Sequence, residues 1–208
     1  FRTIGTVTHP PTSALSATSG TFTGDVTIGD ELVVDGNGSY TSNIKFNYGS
    51  SAPTYFANWG YKSSSDGNKV FLTITDDGAA RDVLVANYNG IITMPLQPAF
   101  LAQPSPQSNI AVNSHVIVVF DTERFDQNAD FASNTFTAPV TGKYQFNVTL
   151  LLVDIDSASN FYQLRLVTSN RALSVIMDTD FGQDNVYFTL TFAGLVDMDA
   201  SDTAYVDI

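Results

Sequence analysis

The sequence predicts an all-β protein, and three observations support this prediction. Apolar residues alternate with polar ones over many short segments, which is the period of a half-buried strand. Aromatic residues make up 12% of the 208 residues, with 15 Phe and 9 Tyr, and aromatic side chains favour strands over helices. No stretch keeps the 3.6-residue apolar period of an amphipathic helix. A sandwich or barrel is therefore the expected architecture.

The N-terminal part of the chain differs in composition from the rest. Residues 1–19 are rich in Thr, Ser and Pro, which predicts an extended arm rather than a packed element. Residues 20–38 contain short alternating pieces separated by Gly24, Gly29 and Gly36. This stretch resembles the Gly-punctuated segments of bacteriophage tail fibres and tailspikes. Each piece is too short to bury its apolar side alone, so we expect identical copies of the chain to share a core, as in fibrous trimers.

Residues 40–94 alternate apolar and polar side chains again, and the turn sequences GSSAP, SSSDGN and DDGAA separate the runs. The pattern predicts a small β module of four to six strands, which together with the preceding stalk covers residues 20–93. The alternating apolar residues are Ile44, Phe46, Tyr48, Val70, Leu72 and Ile74. Trp59, the single tryptophan, is interpreted as a core or interface anchor, with a sugar-stacking platform as the alternative.

The C-terminal half begins with a Pro-rich segment. Residues 94–107 contain four prolines, which predicts a linker that also includes the first strand of the following unit. Residues 108–208 are expected to form that unit, because strand patterns dominate there. Its apolar positions fall on one side of each strand: Tyr144, Phe146, Val148, Leu150 and Leu152; Tyr162, Leu164 and Leu166; and Val186, Phe188, Leu190 and Phe192.

A spaced set of mostly aromatic residues lies between residues 120 and 148. In order it consists of Phe120, Asp126, Phe131, Phe136, Gly142, Tyr144 and Phe146. This set resembles the signature of C1q-like globular domains, with two departures. Only four residues separate Phe131 from Phe136, fewer than in the family, and Val148 stands where the family has an aromatic residue. Further on, the stretch GLVDMDASDTAYVDI resembles another strand of the family, with Ser201 in place of a Gly.

The resemblance implies a jelly-roll β-sandwich, related to the tumour necrosis factor fold, that assembles as a homotrimer. Within it we expect Gly142 to permit a tight turn, and Tyr144 and Phe146 to begin the next strand facing the core. The family closes with one further strand in the middle of one sheet. A jelly roll without that strand has two unpaired edges, so we expect the natural polypeptide to continue past Ile208 or this form to be incomplete.

Charge and composition exclude several classes of partner. Asp and Glu outnumber Lys and Arg by 21 to 9, and the net charge of −12 repels nucleic acid. The nine cations are scattered, so no basic stripe is hidden in the sequence. No apolar run approaches the ~20 residues of a membrane helix, so we expect no membrane insertion. The chain has no cysteine, and its stability must come from packing.

Few residues suggest catalysis. The chain has two histidines, His9 and His115, and neither has a GxSxG elbow or an HExxH motif to act with. The sequence also contains no Walker-type or GxGxxG loop for a nucleotide. We therefore expect that the protein is not an enzyme and that it uses no organic cofactor.

Carboxylates two residues apart recur in the C-terminal half: Asp154 with Asp156, Asp178 with Asp180, and Asp197 with Asp199. In a strand such a pair shares one face, where it could bind calcium or act as acid and base on a glycoside. Asp is also a good turn residue, and loop solvation is the favoured interpretation. The best calcium candidate is the set Asp178, Asp180 and Asp184.

These observations together predict a virion structural protein, a bacteriophage tail or head fibre. Its C1q-like unit would bind a host-surface glycan or protein as a homotrimer, and its N-terminal arm would attach to other tail or capsid proteins. Two alternatives remain at this point. One is a secreted or cell-surface C1q-like lectin, and the other is a glycan depolymerase built on a fibre.

Overall fold

The computed structural model describes residues 41–48, 55–62 and 67–208. In these residues the chain forms fourteen strands, all paired in antiparallel fashion, and no helix. The all-β prediction is confirmed. The predicted arm and the Gly-punctuated pieces up to residue 40 lie outside the described residues.

Five consecutive strands form one sheet, which we call the middle sheet. They are β1 (Thr41–Tyr48), β2 (Tyr55–Lys62), β3 (Lys69–Asp76), β4 (Ala79–Asn87) and β5 (Ile92–Thr93), and they lie side by side in chain order. Asp77 and Gly78 close the β3–β4 hairpin with φ values of 45° and 80°. Left-handed φ at both positions is what a two-residue hairpin turn requires, and Asp-Gly is a preferred sequence for it.

Strand β3 buries the side that the sequence predicts to be polar and exposes the side that it predicts to be apolar. Phe71, Thr73 and Thr75 are buried, whereas Val70 and Ile74 are 41% and 48% exposed. On the buried side the Thr73 hydroxyl donates to Asp82 Oδ1 over 2.5 Å. The apolar row that the sequence predicts therefore lies on the open side of the middle sheet.

Nine further strands form the part of the chain that we call the C-terminal unit, residues 98–208. They are β6 (Phe100–Gln103), β7 (Thr122–Asp126), β8 (Phe131–Ala132), β9 (Thr135–Thr137), β10 (Gly142–Ile155), β11 (Phe161–Thr168), β12 (Ala172–Asp178), β13 (Asn185–Met198) and β14 (Thr203–Asp207). One sheet has the order β12-β11-β14-β9-β8, a second pairs the long strands β10 and β13, and a third pairs β6 with β7.

One hydrophobic core joins the sheets of the C-terminal unit. Leu164 and Leu166 of β11, at 1% and 2% exposure, belong to the same cluster as Leu150 of β10 and Leu190 of β13. Most of the predicted inward positions of the two long strands face this cluster or pack against it: Tyr144, Phe146, Val148, Leu150 and Leu152 in β10, and Phe188, Leu190 and Phe192 in β13. Val186, predicted on the same side, is instead 57% exposed, because the core does not reach the start of β13.

The aromatic residues of the C1q-like pattern meet around Phe136. The Phe136 ring lies 5.4 Å from Phe100, 5.3 Å from Tyr144 and 5.5 Å from Phe146, measured between centroids. Phe131 stacks on Phe100 at 4.6 Å and contacts Phe120 edge-on at 6.4 Å. Offset and edge-on ring pairs of this kind add stabilisation beyond their buried area.

The two non-aromatic positions of the same pattern, Asp126 and Gly142, differ in what they do for the backbone around these rings. The Asp126 carboxylate accepts from the backbone N–H of Phe131 at 2.8 Å and of Asp130 at 3.2 Å, which fixes the loop before β8. Gly142 is the first residue of β10 and does not have a left-handed backbone. A Cβ there would meet the Tyr144 ring at 3.6 Å, an ordinary contact, so the tight-turn role expected of Gly142 is not required by its conformation.

Ser201 carries the left-handed conformation in the turn before β14, with φ of 76°. This is the position at which the C1q-like pattern has Gly. Glycine is the residue that adopts such a φ without steric cost, and Ser at this site is under local strain.

Strand β10 has an unpaired side among the described residues, since its ladder runs to β13 alone. A groove of about 320 Å³ borders its first residues. Phe100 and Phe136 line the groove on one side and Tyr144 and Phe146 on the other.

Candidate functional site

Two loops meet at one end of the C-terminal unit. Residue Ile155 at the end of β10 pairs with Asn185 at the start of β13, and Phe161 at the start of β11 pairs with Asp178 at the end of β12. The β10–β11 loop and the β12–β13 loop therefore emerge at the same end of their sheets. We call residues 156–160 and 179–184 together the acidic loop end.

Hydrogen bonds tie the two loops to each other. Asp184 Oδ1 accepts from the backbone N–H of Ser157 at 2.9 Å and from its hydroxyl at 2.7 Å. The buried Thr179 hydroxyl donates to the carbonyl of Ser159. The backbone and hydroxyl hydrogen bonds from Ser157 lower the pKa of Asp184 below its usual 3.8. These contacts hold the carboxylate ionised and fix the relative position of the loops.

Two other aspartates of this end bond to their own loops. Asp156 Oδ1 accepts from the backbone N–H of Ala158 at 2.8 Å, and Asp178 Oδ1 accepts from that of Asp180 at 3.1 Å. Both are bonds to the residue two positions on, the Asx-turn pattern that favours Asp in tight loops. These contacts support loop formation as one role of the carboxylates.

The structure does not gather the predicted calcium ligands into a ready-made site. The described residues contain no group of three or more His, Cys, Asp or Glu side chains that could hold a metal ion. Asp184 is engaged with Ser157, and Asp178 with the backbone of Asp180. The set Asp178, Asp180 and Asp184 thus has no geometric support as a calcium site.

Two aspartates of the other carboxylate pairs also bond to side chains of the protein. Asp197 lies at the opposite end of the unit, where its carboxylate forms an ion pair with Arg171 at 2.7 Å. Asp199 accepts from the Thr141 hydroxyl at 3.3 Å. Asp154 has φ of 56° within β10, so its backbone does not continue the regular strand.

Two aromatic side chains stand beside the aspartates of the acidic loop end. Phe181 is 39% exposed, with its ring 5.9 Å from Phe188, and Phe161 is 54% exposed on the strand next to Asp178. The surface thus combines exposed rings with carboxylates and hydroxyls. Such a mixture of rigid aromatic area and adaptable hydrogen-bonding groups is typical of recognition surfaces.

The opposite loop end, residues 138–141, 169–171 and 199–202, also has polar groups that bond to each other, but it contains no aromatic residue. Asn170 Nδ2 donates to Asp202 at 3.0 Å, Ser169 Oγ accepts from the Thr203 backbone at 2.9 Å, and Arg171 pairs with Asp197. The acidic loop end offers the exposed rings of Phe161 and Phe181 in addition to its polar groups. The acidic loop end is therefore the better candidate for a binding surface.

Sequence reasoning did not find the contacts that organise these sites. Asp184 and Ser157 are 27 residues apart, and no local motif links them. The same holds for Arg165 and Asp207, which are 42 residues apart and form a two-bond pair at 2.7 and 2.5 Å. Only the pairing of distant strands brings these residues together.

Three other predicted residues lie away from this end. Trp59 is 59% exposed on β2 of the middle sheet and does not belong to the core of the described residues. His115 is exposed in the loop before Val118, and His9 lies outside the described residues. The described residues also include no helix with the length and apolarity needed to span a bilayer.

Comparison with known proteins does not assign a family. No protein-family model matches the chain, and a search of curated proteins gives no match. The C1q-like and fibre-like resemblances stay predictions from the residues quoted above.

Proposed function

We propose that this chain is a virion structural protein, a bacteriophage tail or head fibre, whose C-terminal unit binds the host cell surface. The observation that carries the proposal is the joined pair of loops at the acidic loop end. Asp184 and Ser157 fix these loops together, and Phe161 and Phe181 are exposed beside them. A fixed, mixed aromatic and polar surface of this kind suits a host-surface glycan or protein.

The strand order supports a jelly-roll interpretation of the C-terminal unit. Its five-stranded sheet sets β14 between β11 and β9, so strands far apart in sequence lie side by side, as in Greek-key connections. Among the described residues β10 has one unpaired side, and the aromatic groove beside it can receive a further strand of such a sandwich.

Adhesion by such a protein depends on copy number. A homotrimer presents three equivalent loop surfaces, and each contact after the first forms at a high effective concentration. Weak individual contacts are then enough for firm attachment. The N-terminal arm would join the fibre to other tail or capsid proteins, and the net charge of −12 argues against a nucleic-acid role.

The proposal is tested by adsorption of the labelled protein to a panel of bacterial strains. We expect binding to a subset of strains, and we expect Asp180→Ala with Phe181→Ala to reduce it roughly tenfold or more. The matched control, Val140→Ala with Asp199→Ala, changes an exposed apolar residue and an aspartate at the opposite loop end and should leave adsorption unchanged.

Three outcomes would overturn or redirect the proposal. Adsorption to no strain, or equal adsorption by both double variants, would contradict host binding through the acidic loop end. Failure of an antibody against the chain to label intact virions in electron micrographs would favour the lectin alternative. Shortening of a purified host polysaccharide that is lost on Asp178→Asn with Asp180→Asn would identify a depolymerase instead.

A further inference from the structure

The open side of the middle sheet carries a continuous apolar surface. Seven large side chains on this side are between 39% and 64% exposed: Ile44, Phe46, Trp59, Tyr61, Val70, Ile74 and Ile92. We call this set the apolar face. Soluble monomers rarely leave a contiguous apolar patch of this kind uncovered.

The strand register places these residues on the same side of the sheet. Trp59 pairs with Ile44 on one neighbouring strand and with Leu72 on the other. Val70 pairs with Tyr61 in the same way, and residues directly opposite each other share a face. The apolar face therefore spans adjacent strands as one surface rather than as scattered positions.

We propose that the apolar face packs against the same face of other copies of this chain. This inference rests on the homotrimer in the proposed function and names the surface through which the copies meet. The described residues place no layer over the apolar face, and identical sheets supply such a layer by symmetry.

The charge distribution favours a second copy as the occupant. Copies that each carry a net charge of −12 repel one another unless they meet through a surface without acidic groups. None of the seven residues of the apolar face is charged, and the charged groups beside them, Arg81 opposite Ile74 and Asp76 two residues after Ile74, have opposite signs and can pair between copies. The ion pair of Lys69 with Asp82 involves the other side of β3, where Asp82 also bonds to buried Thr73.

The size of the apolar face also fits self-association. Half-exposed side chains of this size offer on the order of 100 Å² each, so the seven together offer roughly 700 Å². Stable interfaces bury about 800 Å² per partner. The chemistry points in the same direction, because four of the seven residues are Ile or Val, which pack well against protein and form no hydrogen bonds with a sugar.

A sugar is the main rival occupant. A cleft of about 390 Å³ lies at one end of the apolar face, lined in part by Tyr61, Tyr88, Asn68 and Asn87. Tyr61 donates its hydroxyl hydrogen to Asn68 Oδ1 over 2.8 Å. Rings and amides of this kind could stack on and bond to a sugar, so the experiment must separate the two occupants.

The single tryptophan makes the test direct. Sedimentation velocity over a dilution series reports the assembly, and the emission of Trp59, with its quenching by iodide, reports whether the apolar face is covered. We expect an assembly with shielded, blue-shifted Trp59 emission that shifts to the red when dilution separates the copies.

Two double variants sharpen this test while keeping Trp59. Val70→Thr with Ile74→Thr preserves strand propensity and should raise the concentration of half-dissociation by roughly two orders of magnitude. The matched control is Ile176→Thr with Val186→Thr, which alters two exposed residues of the C-terminal unit and should leave the assembly unchanged. Far-UV circular dichroism checks that each variant keeps its strands, and the dilution series on the unaltered protein decides the matter if one fails to fold.

The inference is overturned by any of three results. The first is an unaltered protein that stays monomeric at micromolar concentration, whether Trp59 is shielded or open. The second is a Val70→Thr, Ile74→Thr variant that dissociates like the unaltered protein. The third is a Trp59 shift that needs added lipopolysaccharide, the glycan probe, and occurs in the monomer. An assembly through the apolar face that adsorbs to no bacterium would instead contradict the proposed function and leave this inference standing.

Discussion

Strand β3 of the middle sheet and strand β10 of the C-terminal unit both alternate apolar and polar residues, but they bury different halves of that pattern. In β10 the apolar residues Phe146 and Leu150 are buried, at 8% and 6% exposure. In β3 the apolar residues Val70 and Ile74 are exposed, whereas Thr73 is buried. The period of a strand is a local property, whereas the side that becomes covered depends on what packs against the sheet.

The difference follows from the number of layers. The C-terminal unit has three sheets that share one core, so the apolar residues of that core find partners within the same chain. The middle sheet leaves seven large apolar side chains open on one side. The apolar residues of this chain are therefore only partly used in its own interior.

The largest expected difference is between the stability lost on truncating a core leucine and the stability lost on truncating an isoleucine of the apolar face. Leu164→Ala should destabilise the C-terminal unit by about 3 kcal/mol, because Leu164 is 1% exposed in the core. Ile74→Ala should cost the middle sheet less than ~1 kcal/mol at concentrations that keep copies apart. Urea denaturation, monitored by hydrogen exchange in each sheet, measures both losses of stability. Equal losses of stability would contradict this prediction, because Ile74 would then be buried within its own chain.

The second effect concerns ion pairs of the C-terminal unit. Asp207→Asn should destabilise it by about 2 kcal/mol, because Arg165 loses a two-bond partner whose side chain is 3% exposed. Asp197→Asn removes the partner of Arg171 in a pair that is 50% and 60% exposed, and should cost less than ~0.5 kcal/mol. Thermal unfolding of the two variants compares them. Similar melting temperatures would show that the burial of Asp207 adds nothing to the stability that its ion pair provides.

The third effect distinguishes two buried threonines on the same side of β3. Thr73→Val should destabilise the middle sheet by about 1 kcal/mol, because the hydroxyl bond to Asp82 is lost. Thr75→Val should stabilise it by about 0.5–1 kcal/mol, because the Thr75 hydroxyl is buried and has no hydrogen-bond partner among the described residues. Denaturant titration gives both signs. A loss of stability in Thr75→Val would mean that its hydroxyl is satisfied after all.

The fourth effect tests strain in the turn before β14. Ser201→Gly should stabilise the C-terminal unit by about 0.5 kcal/mol, because Gly adopts the φ of 76° without steric cost. Ser174→Gly, in the extended strand β12, should instead cost about 0.5–1 kcal/mol. Differential scanning calorimetry resolves the opposite shifts. Destabilisation by both substitutions would remove the case for strain at Ser201.

The smallest effect is a pH dependence in the middle sheet. The hydrogen bond from Thr73 lowers the pKa of Asp82 below its usual 3.8, assisted by Lys62 and Lys69 and opposed by burial. The stabilisation from this bond is therefore present above pH 3.8 and is lost as the pH falls through the lowered pKa. Carboxyl NMR titration should find the pKa of Asp82 raised in Thr73→Val and unchanged in Thr75→Val. An unchanged pKa in Thr73→Val would contradict the assigned cause.

The sequence by itself determined the all-β class, the positions of β1, β3, β10, β11 and β13, and the turn at Asp77 and Gly78, because period-two alternation and left-handed turns are properties of neighbouring residues. It also identified the aromatic set around Phe136. Tertiary structure alone decided the rest. It joined Asp184 to Ser157 across 27 residues and bonded the Asp178 carboxylate to the backbone of Asp180. It also left the side chains of the apolar face exposed. These outcomes depend on which distant strands pair and which faces are covered, and no pattern of neighbouring residues contains that information.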